Sequence, residues 1–398
     1  MKTCMIHRKF KAAHIFTGQG MAPAGSVLIT SPEGMIVDLL PEAEAGENIE
    51  YAGHLLTPGF INAHCHLELS HLKNQVPPGK GLINFLLDVV GKRDFEPAAI
   101  QEAIQLAEKE MSEAGIVAVG DISNTTDTIQ TKTNSRIAWT NFIEVLSFSD
   151  ENAENKLTEY GEVLKKFRAM DENDPGSDPI YRSNLVPHAP YSISPISFQM
   201  INEATAGQVI SIHNQETPDE DELYKTGKGD FIRFFSFFGP TVSPFPITGK
   251  SSLRSVLPFF TKGQTILLIH NTFMPAEDRV FADEYAAETG IRVVYCFCPN
   301  ANLYIENTLP PVSQFLAEKR DIVLGTDSLS SNYQLSIAEE IRTLRQRFPE
   351  IPLEVMLQWA TWNGARALKR DHILGSFHKG KKPGIVILDK DLKPERLL

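Results

Sequence analysis

Eight apolar runs of strand-like length and composition recur along this chain, at 56–63, 116–121, 137–146, 183–187, 208–213, 265–270, 292–296 and 322–325. Between several of them lie segments of helical periodicity, at 97–114, 153–170, 275–289 and 338–347. Strands that alternate with helices predict a parallel sheet, and eight such units predict an α/β fold of the closed (β/α)8 TIM barrel type. Residues 1–57 read differently, as short strands and turns without a long helical segment, and the chain returns to turns and strand over 376–398. Two β-rich flanks around a barrel are expected to pair with each other. The expected organisation is a small discontinuous β-sandwich from 1–57 and 376–398, with the barrel over 58–375. The polar stretch 171–178 is expected to be a surface loop.

Bulk properties narrow the function. With 42% hydrophobic and 22% charged residues over 398 positions, the chain reads as soluble and globular. A formal charge of −12 and the lack of any lysine or arginine run argue against a nucleic-acid ligand. The first residues lack the apolar core of a signal peptide, and no stretch approaches the roughly 20 apolar residues that span a bilayer, so a cytoplasmic enzyme of small molecules, with no membrane partner, is expected. Four cysteines are too few and too scattered for a disulfide framework, and Cys296 and Cys298, in a strand-like run, read as buried thiols.

In a barrel of this kind the active site lies at the C-terminal ends of the strands, so the polar residues that close apolar runs are the ones to collect. The first run ends in Ala63-His64-Cys65-His66, and side chains at i and i+2 of a strand point to one side, so both imidazoles can reach one metal ion. His188, His213, His270 and Asp327 close four further runs. The remaining histidines, His7, His14, His54, His71, His372 and His378, fall in flanks or loops and read as surface or structural. Three imidazoles and one carboxylate, with water completing the shell, suit catalytic zinc or ferrous iron. His64, His66, His213 and Asp327 are the assigned ligands of one divalent ion, zinc first and iron second. Water on such an ion has its pKa lowered to about 7. Glu216, three residues past His213, can turn into the same pocket and shuttle a proton.

Other residues admit two readings. His270 repeats the strand-end setting of His213, against a core histidine satisfied by backbone. His188 reads as a substrate contact or a turn cap, and Glu68 and His71 as substrate contacts or a solvated loop. Glu144 reads as a structural hydrogen-bonding residue more than a neighbour of the metal. The phenylalanine-rich 231–238 reads as an amphipathic core helix, with the wall of a ring pocket as the second reading. Gly249-Lys250-Ser251 lacks the glycine cradle of a phosphate loop, since Pro244 stands five residues before Gly249.

These motifs together resemble the amidohydrolase superfamily, in its mononuclear deaminase and chlorohydrolase branch. The resemblance rests on Pro58-Gly59-Phe60-Ile61-Asn62-Ala63-His64-Cys65-His66, Pro187-His188-Ala189-Pro190-Tyr191-Ser192, His213-Asn214-Gln215-Glu216-Thr217, His270, Cys298-Pro299-Asn300-Ala301-Asn302 and Leu324-Gly325-Thr326-Asp327-Ser328. It implies that His64, His66, His213 and Asp327 bind the metal, that Glu216 shuttles protons, that His270 with Asp327 orients the attacking hydroxide, and that His188 contacts substrate. No lysine stands where binuclear members place a bridging carboxylated lysine, at the end of the fourth strand; Glu144 lies in that region instead, and a single metal is implied. The segment His66-Leu67-Glu68-Leu69-Ser70 with Gly81-Leu82-Ile83-Asn84-Phe85-Leu86 is similar to a subgroup that includes aminodeoxyfutalosine deaminases. By the same resemblance a homodimer is expected.

The expected activity is hydrolytic deamination of an amino-substituted heterocycle, with an adenine-type nucleoside such as aminodeoxyfutalosine or adenosine favoured. The alternative keeps the metal and changes the bond: guanine, a triazine C–Cl bond, an amidine or a cyclic amide. A non-catalytic binding barrel is the third reading.

Overall fold

The computed structural model describes residues 7–172, 182–238 and 246–398. Eight parallel strands form its centre: β1 Phe60–Cys65, β2 Ile116–Ser123, β3 Ala138–Val145, β4 Arg182–Pro187, β5 Val209–Asn214, β6 Thr265–His270, β7 Arg292–Phe297 and β8 Ile322–Leu324. They make two four-stranded parallel sheets, ordered β1-β2-β3-β4 and β5-β6-β7-β8. Every residue of β1, β2, β5 and β6 is buried. Strands covered on both faces read as continuous apolar runs rather than alternating ones, which is why the pattern was visible in the sequence. The expected helices are found at Pro97–Glu113, Ala153–Glu172, Ala276–Thr289 and Ile337–Arg347. The end of the second helix covers the start of the polar stretch expected as a loop, and the rest of that stretch, to Asp178, lies outside the described residues, as does Cys4.

The two sheets meet along both edges. Between β4 and β5, Asn184 Nδ2 donates to Val209 O at 2.8 Å and His213 N to His188 O at 3.0 Å. Between β8 and β1, Asn62 and Thr326 exchange two hydrogen bonds, Nδ2 to Oγ1 at 2.7 Å and Thr326 N to Oδ1 at 3.1 Å. Just beyond, Asp327 N donates to His64 O at 3.1 Å. Gly325 makes that approach possible: a Cβ there would lie 2.9 Å from both His64 Cβ and His64 O.

The first apolar run is two strands, not one. Leu55–Pro58 pairs antiparallel with Ile385–Leu388, whereas Phe60–Cys65 joins the parallel sheet. The chain changes sheet at Gly59, where a Cβ would fall 2.3 Å from Val117 Cγ1 and 2.8 Å from Pro383 O. The flanks form two further sheets. One contains Ile36–Pro41, Ser26–Thr30, Arg8–Lys11 and Glu50–Tyr51, and the other Pro394–Arg396, Ile385–Leu388, Leu55–Pro58 and His14–Ile15. Phe10, Ile15, Leu28, Leu56, Phe377 and Ile385 bury their side chains in a common apolar cluster, so the two ends of the chain share a core. Cys65, Cys296 and Cys298 are buried free thiols. Among the described residues no helix is long and apolar enough to cross a membrane.

A buried ion pair lies beneath the first strand end. Lys132 Nζ stands 2.6 Å from Asp121 Oδ2, both side chains fully enclosed, and Asp121 Oδ1 accepts from Leu67 N at 2.8 Å. Lys132 Nζ also donates to Asn141 Oδ1 at 2.8 Å. Removing one partner of such a pair leaves an uncompensated charge in a dry interior. Lys132→Met is expected to lower unfolding free energy by about 3–5 kcal/mol in denaturant titrations, and the double change with Asp121→Leu to recover much of that loss. Equal losses in the single and double variants would show that the charge is not the cause.

Candidate active site

Four side chains converge where the strands end. His64 in β1 and His66 just past it project from alternate positions of the same backbone, and their Nε2 atoms lie 3.2 Å apart. Asp327, just past β8, brings Oδ1 to 3.4 Å from His66 Nε2 and 3.8 Å from His64 Nε2. His213 in β5 completes the group, and the donor atoms of all four lie within 4.8 Å of one another. Three of them are held from behind. His213 Nδ1 donates to His188 O at 2.8 Å, His64 Nδ1 pairs with Ser211 Oγ at 3.3 Å, and Ser331 Oγ donates to Asp327 Oδ2 at 2.5 Å. With Nδ1–H of His213 committed to a carbonyl, its Nε2 carries the lone pair that a cation needs.

Burial sets the charge states. It pushes His66 down to about 3, His213 to about 4 and His64 well below the ordinary imidazole range, so all three are neutral donors at neutral pH. Burial raises Asp327 to about 6, against hydrogen bonds from Ser331 and the Ser328 backbone that favour its anion. Neutral imidazoles, one carboxylate and no cation within their shell form a donor set that fits a divalent ion. His270 behaves as the neighbouring imidazoles do, pushed well down by burial and by His213. Its Nε2 has no hydrogen-bond partner among the described residues and stands 3.5 Å from Glu216 Oε1. Burial, with the fields of Asp327 and Glu306, raises the Glu216 carboxyl well above its usual range, which favours its protonated form.

The backbone is strained at the same place. His270, Asp327 and Gln215 have φ of 71°, 58° and 44°. A non-glycine residue costs on the order of 1–3 kcal/mol in such regions, and packing must impose it. At each position the left-handed residue ends or follows a strand and turns the next segment over the cluster.

His66, His188, His213, Glu216, His270 and Asp327 all line one cavity of about 60 Å³, together with Glu144 and Tyr191. Two expectations are revised. Glu68 turns away from the cavity: its Oε2 accepts from the backbone N–H of Asn124 and Thr125, each at 3.0 Å, and fixes the loop after β2. His71, beside it, hydrogen-bonds Glu68 O at 3.1 Å. Glu144 belongs to β3 rather than the fourth strand, and it lies in the site, with Oε1 2.9 Å from His188 Nδ1 and 3.8 Å from His213 Nδ1. Burial opposes its ionisation, but His188 and the other imidazoles more than offset this and hold it below the usual carboxylate range. The helix Phe231–Phe237 does not line the cavity. It packs behind it, Phe231 against Tyr191 at 4.3 Å between ring centroids.

The apolar wall is supplied by the helix Leu82–Gly91, through Leu82, Phe85, Leu86 and Val89, with Arg93 just beyond. The spacing of those four positions is a helical stripe and was available in the sequence, although nothing local said what it faced. Tyr191 stood within the Pro187–Ser192 motif, its OH now 3.4 Å from His188 Nε2. Ser331, by contrast, carried no signal.

The chain belongs to the amidohydrolase family, whose model matches residues 55–397. Among curated relatives, it is 25% identical over 366 residues to the aminodeoxyfutalosine deaminase of Deinococcus radiodurans, covering 89% of this chain and 84% of that one. Among solved structures, Helicobacter pylori aminofutalosine deaminase in complex with methylthio-coformycin shares its fold at TM-score 0.77 and 21% identity, covering 96% and 92% of the two chains. An adenosine deaminase from Xanthomonas campestris with bound zinc does so at 0.72 and 20%, covering 96% and 84%.

Because the folded-state values of His66 and His213 are depressed, these rings gain protons only well below the ordinary imidazole pKa near 6.5. In metal-free protein their NMR resonances are expected to stay those of neutral imidazole from pH 8 to about 5. Midpoints at 6.5 or above would show instead that water solvates the cluster.

Proposed function

We propose that the protein is a metal-dependent hydrolytic deaminase of an adenine-type nucleoside, on a closed (β/α)8 barrel over 58–375 flanked by a β-sandwich from 1–57 and 376–398. The barrel reading is supported by the hydrogen bonds that join the two parallel sheets along both edges. The sandwich reading is supported by the shared core of the two ends. One observation carries the activity: Glu216 beside an unpartnered His270 nitrogen, both facing the His64, His66, His213 and Asp327 cluster.

His64, His66, His213 and Asp327 would hold the ion, and the zinc of the Xanthomonas neighbour favours zinc over iron. A bound divalent cation lowers the pKa of water to near 7 and stabilises negative charge as it develops. His270, kept neutral by burial, can accept a proton from the attacking water through Nε2 while Asp327 fixes that water's position. Glu216 carries its proton into the reaction and delivers it to the ring nitrogen beside the attacked carbon, so that charge does not build up on the heterocycle. The tetrahedral carbon then releases ammonia as the proton held by His270 passes to the amino group and the hydroxyl proton of the new carbonyl returns to Glu216. Glu144 and His188, paired at 2.9 Å, close one side of the site and present His188 Nε2 and Tyr191 OH to the substrate.

The wall of Leu82, Phe85, Leu86 and Val89 suits an apolar substituent, and the relatedness to an aminodeoxyfutalosine deaminase agrees with a modified nucleoside. At about 60 Å³ the cavity is smaller than the roughly 300–1,000 Å³ of most small-molecule sites, so a nucleoside enters with outward movement of this helix.

The test is Glu216→Gln in zinc-loaded protein. Metal content is expected to be unchanged and ammonia release from aminodeoxyfutalosine or adenosine to fall about 10²–10⁴-fold. Full turnover in the variant would remove Glu216 from the chemistry, and release of chloride or of no ammonia by the unaltered enzyme would reassign the bond broken.

A further inference from the structure

The helix Leu82–Gly91 presents one apolar stripe to the cavity, and a charged residue of the cavity lining lies just past its end. Leu82, Phe85, Leu86 and Val89 follow one another at helical spacing, and Arg93 lies two residues past the helix's last residue, Gly91. Arg93 lines the same cavity as the strand-end cluster. Its guanidinium makes no hydrogen bond or ion pair with another described residue, unlike neighbouring Lys92, which stands 3.2 Å from Asp88 Oδ1. It is also the only permanently charged cation among the described residues of that lining, whose other ionisable members are imidazoles, carboxylic groups and Tyr191. Its side chain lines the cavity and also reaches solvent.

We infer that Arg93 is a specificity-determining residue that receives a carboxylate at the far end of the substrate's tail. The inference rests on the deaminase reading above and deepens it: the favoured substrate is a nucleoside whose apolar substituent runs along the helix stripe and ends in an anion. A planar guanidinium binds a carboxylate with two parallel N–H···O bonds, a match that an ammonium cannot make. The apolar stripe between the cluster and Arg93 fits a hydrocarbon or aryl spacer and offers nothing to a second charge. A zwitterionic tail such as that of S-adenosylhomocysteine would place its ammonium beside Arg93 or on that apolar wall. A tail that is only anionic avoids both.

The experiment compares zinc-loaded wild-type, Arg93→Met and Arg93→Lys proteins on aminodeoxyfutalosine, whose tail ends in a benzoate, and on adenosine, which has no charged tail. Arg93→Met is expected to lose about 10–100-fold in kcat/KM on aminodeoxyfutalosine, chiefly through KM, with adenosine changed less than about threefold. Arg93→Lys is expected to recover part of the loss, and salt to weaken only the carboxylate substrate. Equal losses on both substrates, no loss on either, or a wild-type enzyme that prefers adenosine would overturn the assignment. Failure of the deaminase reading looks different: wild-type protein would then release ammonia from neither nucleoside, and the assignment would fall with it.

Discussion

The site depends on one junction, the contact between the first and last parallel strands. Asn62 and Thr326 stand 264 positions apart, and their reciprocal side-chain and backbone hydrogen bonds fix the register at which β8 meets β1. Just beyond that contact, the register places Asp327 against His64 and His66. A slip of one residue would turn every side chain of the strand to its other face and remove either the carboxylate or both imidazoles from the cluster. Gly325 belongs to the same constraint, because only the absence of a Cβ lets the backbones approach. The buried Lys132–Asp121 pair steadies the other side of β1 by holding the Leu67 amide, so the His66 segment is clamped from both sides.

Burial then separates the ionisable groups into roles. The same dry environment that drives the imidazoles toward neutrality drives Glu216 toward its protonated form. Lone-pair donors and a proton donor therefore coexist at one pH within a few ångströms of each other. Glu144 is the exception that shows the cause. Equally enclosed, it stays ionised because His188 lies against it. Neighbouring charge, rather than depth, distinguishes the two glutamates.

Much of the strand framework was legible in the sequence because the strands are dry on both faces and therefore continuous in hydrophobicity. The strand-end residues were legible for a related reason: a histidine or aspartate that closes an apolar run has few places to point. His64, His66, His213, His270 and Asp327 were found this way, Glu216 by its place three residues past His213, and the structure brings them together. Glu68 was not decidable by that logic, since it lies in a 3-10 turn where direction is set by whichever backbone amides are near, here those of Asn124 and Thr125. The pairing of Glu144 with His188 depends on the alignment of two neighbouring strands, and the hold of Ser331 on Asp327 on the turn that follows β8; neither leaves a spacing to read. Gly59 was visible as a residue but not as the point where one apparent strand becomes two.

The phenylalanine helix Phe231–Phe237 and the helix Leu82–Gly91 pack in an apolar cluster of their own, with Tyr191 and Leu72, apart from the cluster that surrounds the parallel strands. Such a division makes the molecule modular in inheritance as well as in space. Substitutions along the outer cluster can redraw the shape of what is admitted while the strand-end residues, fixed by a different set of contacts, go on unchanged. New substrates can thus be acquired by revising the roof of the site, with the chemistry below it kept as a constant.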